Sequence, residues 1–118
     1  MKSKKLWSDL NLNEKIKNVL DDIGFKNFYL ERSSDNDECV VYNYISNSVN
    51  FADNRGNIRE YTIILNVYSN SRIDYRNETV RKAMLQNGFK GGQVQKPFKL
   101  QNGFYNTAIK FKGIITEA

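Results

Sequence analysis

The sequence predicts an α+β fold, a two-layer domain in which two helices pack on one face of a mainly antiparallel sheet, in the order α-β-β-β-α-β. Three observations point to it. Apolar residues recur at helical spacing in two stretches, apolar and polar residues alternate in others, and a Gly-Phe pair closes each helical stretch. At 118 residues the chain has room for one core, so residues 1–118 are read as a single domain.

Leu12, Ile16, Val19, Leu20 and Ile23 share one face of a first helix. Asn11 is placed to cap it, with Glu14 reaching back as in a capping box. Gly24 supplies the left-handed residue that ends it, and Phe25 then folds back on Leu20. Three strand-like segments follow, residues 25–32, 38–46 and 58–69, all rich in aromatic and β-branched side chains. In the third, Tyr61, Ile63, Leu65 and Val67 form a face expected to be buried, while Glu60, Thr62, Ile64, Asn66 and Tyr68 form a mixed one. Residues 33–37 are a polar turn, and residues 47–57 form a loop too long for a tight hairpin.

The second helix is expected over residues 74–87, with Ile73, Val80, Ala83 and Met84 inward and Gly88 and Phe89 repeating the stop. Residues 88–103 hold Gly91, Gly92 and Pro97 and read as a loop. The last strand, residues 104–115, alternates Tyr105, Thr107, Ile109 and Phe111 against Asn106, Ala108, Lys110 and Lys112. The sequence of residues 85–89 recurs at 100–104, which we read as two uses of an Asn-Gly turn and not as a structural repeat.

The chain has 40% hydrophobic and 26% charged residues, no histidine, and one cysteine, Cys39. Zinc sites built on His and Cys, imidazole acid/base chemistry, Ser-His or Cys-His nucleophiles and an intrachain disulfide all need residues it lacks. Cys39 reads as a small buried hydrophobe. Asp35, Asp37 and Glu38 lack the glycine and the distal Glu of a calcium loop, and Glu38, Asp53 and Glu60 make no acid/base pair by spacing. No glycine-rich phosphate loop occurs. No enzyme activity, metal or cofactor is therefore expected. The N-terminus meets Asp9, Asn11, Asn13 and Glu14 before any apolar run, so neither a signal peptide nor a membrane partner is expected and the sequon Asn77-Glu78-Thr79 should stay unused.

Charge is asymmetric. Residues 1–60 hold nine basic and ten acidic residues, net −1, whereas residues 61–118 hold nine and three, net +6. This is either a solvated face or a surface for an acidic partner or nucleic acid. Residues 102–109 loosely resemble the RNP1 octamer of an RNA-binding sheet, without its leading basic residue and with Asn106 where an aromatic belongs. Phe104, Tyr105 and Phe111 read as core or interface aromatics.

Several segments together, residues 40–46, Phe51-Ala52-Asp53-Asn54-Arg55, residues 59–69, residues 78–84 and Asn87-Gly88-Phe89, resemble the tail terminator and head–tail joining (tail completion) proteins of long-tailed (siphovirus) bacteriophages. The resemblance runs from the first helix to the last strand. It implies a virion structural protein in tail assembly: a homo-oligomer, a hexameric ring in that family, that caps the tail tube and joins it to the head. The implied partners are the tail tube protein and a head-completion or neck protein, with non-specific contact with DNA in transit. The implied location is the tail or neck of the virion, and the host cytoplasm during assembly. A ring needs head-to-tail contacts between unlike patches, for which the two unequally charged halves are suited. The expected interface residues are Phe51, Asp53 and Arg55 in the first long loop and Lys90, Lys96, Phe98 and Lys99 in the second, both loops gaining order on assembly. The alternatives are a small basic nucleic-acid-binding module or another phage neck protein.

Overall fold

The computed structural model describes residues 8–47 and 58–116. Helix α1 (Ser8–Asp22) starts earlier than the expected cap, so Asn11 lies inside it. Its inner face is as expected: Leu12, Ile16, Val19 and Leu20 are buried. It ends at Gly24, where φ is 78°. There the Phe25 N–H donates to the Leu20 carbonyl (3.0 Å) and the Gly24 N–H to Asp21 (2.9 Å), a Schellman closure. Helix α2 (Ile73–Gln86) buries Val80, Ala83 and Met84 together with Asn77. It closes in the same way at Gly88, with Phe89 donating to the Met84 carbonyl (3.2 Å).

The strands are β1 (Asn27–Tyr29), β2 (Cys39–Asn47), β3 (Ile58–Ser69), β4 (Lys90–Val94), β5 (Phe98–Lys99) and β6 (Tyr105–Thr116). Their order in the sheet is β1-β2-β3-β6-β4, with β5 continuing the β4 edge along β6. Pairing is antiparallel except between β1 and β2. The architecture is α+β, with both helices on one face. Across the centre, Tyr42, Leu65 and Ile109 stand in register on the helix side, with Val40, Val67 and Thr107 in the next row. Tyr61, Ile63, Leu65 and Val67 are at most 1% exposed, so the alternation read from β3 is the one the helices cover.

Two expectations are corrected. The first strand holds only three residues of the expected 25–32, because Phe25 closes α1 and Leu30 turns the chain away with φ 76°. The Glu31 N–H donates to the Tyr29 carbonyl (2.9 Å), a three-residue turn of the strained hand. The stretch 88–103 is not a loop. Gly91 and Gly92, both at positive φ, form a bulge in β4, and the Gln95 N–H still donates to the Ala108 carbonyl (2.9 Å). Pro97 is tolerated because this strand is a sheet edge. Gly103 (φ 89°) then turns the chain into β6, so the two copies of the Asn-Gly segment do serve as a helix end and a turn.

Candidate functional site

Among the described residues, neither helix covers the opposite sheet face. Alternation places Val41, Asn43 and Ile45 of β2, Glu60, Thr62, Ile64, Asn66 and Tyr68 of β3, and Asn106, Ala108, Lys110, Lys112 and Ile114 of β6 on that face. One end of it is strapped by residues 30–37. The Arg32 guanidinium lies 3.9 Å above the Tyr68 ring, and the Asp35 carbonyl accepts from Asn102 Nδ2 at 2.9 Å. Cys39 and Val41 are buried at this end. Burial pushes the Cys39 thiol above its ordinary pKa, against the opposing pull of Arg32, which suits an inert side chain and not a nucleophile.

The other end is open. Ile45 is 64% and Ile114 59% exposed; Thr62 stands opposite Ile45 and Glu60 opposite Ile114, with Ile64 half-buried one row further in. Beside them, Lys90, Lys110 and Lys112 surround a 410 Å³ cavity also lined by Gly91, Gln93 and Phe111. Phe98, 67% exposed, stands on the same face at the β5 edge opposite Asn106.

Of the residues singled out by sequence, Phe51, Asp53 and Arg55 lie outside the described residues. Lys90 is on β4 and Phe98 and Lys99 are on β5, with Lys96 between the two strands. They lie along one strand edge and not in a loop that awaits order. Lys90 and Phe98 share the open face, while Lys99 pairs with Tyr105 and so takes the alternate side. The sequence did not single out Ile45 and Ile114. Their signal was an apolar residue on the polar side of each alternation, which only the sheet order brings onto one face.

The molecule is also unevenly charged across the sheet. Asn27 Nδ2 donates to Asp21 (2.8 Å) and the Tyr42 hydroxyl to Asn13 (2.9 Å), tying α1 to the β1–β2 end. Asp21, Asp22 and Glu31 are exposed there, together with Lys17 and Lys26. At the other end Asn77 Nδ2 donates to Thr107 (2.9 Å) and Arg81 Nε to the Gly92 carbonyl (3.1 Å), tying α2 over β6 and β4. Lys82, Lys90, Lys96, Lys99, Lys110 and Lys112 are exposed at that end.

Phe104 and Phe111 are buried, at 6% and 1% exposure, so neither presents a ring for a base to stack on. Asn77 is buried in α2 with its amide engaged, which closes the sequon to modification. Among the described residues no three His, Cys, Asp or Glu side chains converge on a metal position, and no helix is long and apolar enough to cross a membrane. The chain matches no protein-family model and no curated protein.

Proposed function

We propose that the protein is a structural subunit that assembles head-to-tail into a ring, in the role of a phage tail terminator joining the tail tube to the head or neck. The observation that carries this reading is the open half of the sheet. Ile45 and Ile114 expose apolar side chains, separated in the register by Thr62 and Glu60, on a face that no helix among the described residues covers, and two such side chains on one open sheet end support a contact surface. The unequal charge at the two ends supports unlike patches meeting, as a closed ring requires. The sequence resemblance supplies the hexameric count, the tail tube and neck partners, the virion location and contact with DNA in transit. Burial of Phe104 and Phe111 weighs against the base-reading alternative. A different neck protein would share this surface and differ in which tail component it binds.

The test is assembly. Sedimentation and electron microscopy of the purified chain, alone and with tail tubes, should show rings or ring-capped tubes. Ile45→Asp and Ile114→Asp should abolish them while leaving the fold intact, because both side chains point into solvent. A chain that stays monomeric at high concentration, ignores tail tubes and is unaffected by both substitutions would end the reading.

A further inference from the structure

The double-glycine bulge has a specific effect on charge. Without an inserted residue, Lys90 and Gln93 would point to opposite faces of β4, since side chains alternate strictly. With Gly92 inserted, Lys90 pairs with Lys112 and Gln93 with Lys110, so both face outward. The bulge thereby brings Lys90 onto the face that carries Lys110 and Lys112. It does so at a cost, because like charges directly opposite in a ladder destabilise it. The β-carbons of such a pair lie about 5 Å apart, and Lys110 and Lys112 follow one another at about 6.7 Å along the same face. Three lysines thus line the 410 Å³ cavity over the bulge.

One carboxylate pairs with one of them. Among the described residues, the only ion pair that any of the three makes is that of Lys112 with Glu60, at 3.5 Å, the lysine side chain 57% and the carboxylate 30% exposed. Lysine serves phosphate as a point charge, and the cavity lining supplies three of them. Gln93, Thr62 and Asn66 add neutral hydrogen-bonding groups on the same face, of the kind that contact phosphate and sugar.

We propose that Lys90, Lys110 and Lys112 form a sequence-independent binding site for the phosphodiester backbone of nucleic acid. The site locates the contact with DNA that the tail-terminator reading leaves unplaced, but its evidence is the bulge and the lysines, which stand without that reading. It positions a backbone and reads no bases. Three phosphate contacts predict a slope of log affinity against log salt of about −2.7 on duplex DNA, a loss of about 40-fold between about 50 and 200 mM salt.

The test is fluorescence anisotropy of the full chain with a labelled mixed-sequence duplex of about 20 base pairs across that salt range. The triple variant Lys90→Gln/Lys110→Gln/Lys112→Gln is compared with Lys17→Gln/Lys26→Gln/Lys82→Gln, which removes the same charge elsewhere. The site variant should bind at least about tenfold more weakly at low salt and lose most of the salt slope, while the control variant keeps both. Melting temperature serves as the folding check, and the site variant should melt within about 4 °C of the wild type, since relief of the Lys90–Lys112 opposition offsets loss of the Lys112–Glu60 pair. Equal losses in the two variants would show diffuse attraction only and overturn the proposal. So would polyglutamate competing as well as unlabelled duplex of equal charge, which would point to an acidic protein. Ring formation is read separately, by sedimentation without nucleic acid, so either idea can fail alone.

Discussion

Replacing Leu65 by Ala tests the register on which the whole site depends. Leu65 is fully buried in β3, flanked in the ladder by Tyr42 of β2 and Ile109 of β6. The substitution removes three carbons, about 2.4 kcal/mol of transfer free energy at about 0.8 kcal/mol per methylene. A rigid central strand collapses little, so the cavity left behind raises the cost toward about 3 to 5 kcal/mol. With an unfolding entropy of about 2.1 cal/mol/K per residue, or about 0.25 kcal/mol/K for a chain this long, a loss of about 3 kcal/mol lowers the melting temperature by about 12 °C. Ile45→Ala removes a comparable side chain from the opposite, exposed face and should cost less than about 0.5 kcal/mol, or about 2 °C. Circular dichroism melts of both variants at one protein concentration make the comparison. A register one residue out would exchange the two faces and reverse the pattern. A drop of less than about 4 °C for Leu65→Ala, or equal drops for the two, would refute the assignment of faces.

Gly92→Ala should lose on the order of 1 to 2 kcal/mol in urea titration, because φ is 77° and the new methyl would sit 3.3 Å from the Arg81 side chain. Cys39 should react slowly with a disulfide reagent in the native protein and quickly in denaturant. Its raised pKa means that its contribution to stability is complete below the thiol's ordinary range and fades as pH rises through the raised value, a loss that Cys39→Ala removes. The Asp21 carboxyl is held below its ordinary pKa first by the Asn27 amide and then by Lys17. Its contribution is present above the ordinary carboxylate range and is lost as pH falls through the lowered value, so Asp21→Asn should flatten the acid side of the stability profile. Asn77→Asp buries a carboxylate where an amide donates to Thr107, and should cost at least about 2 kcal/mol at neutral pH, with stability partly recovered as acid protonates it.

Local chemistry was readable in the sequence wherever it is decided within a few residues. The Gly-Phe closures of α1 and α2 depend on one residue that tolerates positive φ and one apolar residue that folds back, and both were visible. The buried row Tyr61, Ile63, Leu65 and Val67 was visible too, because a period of two fixes which residues share a face. The same holds for Cys39, which lies within an apolar run, and for the Asn-Gly turn before β6.

The tertiary structure decided what depends on residues far apart in the chain. Gly91, Gly92 and Pro97 each weaken a strand locally, and only the ladder to β6 shows that the segment is an edge, where a bulge and a missing N–H are tolerated. Leu30 gave no sign of left-handed backbone; its own N–H donating to the Tyr42 carbonyl and the Glu31 N–H donating to the Tyr29 carbonyl hold it there. Single apolar residues on polar faces, Ile45 and Ile114, came onto one sheet face when the β2-β3-β6 order set their strands on either side of β3. The charge split read along the chain became a split across the sheet in the same way, and Lys90 joined Lys110 and Lys112 through one inserted glycine. Periodicity fixes which residues share a face, but pairing between distant strands determines which faces meet, and that pairing is set by the packing of the whole core.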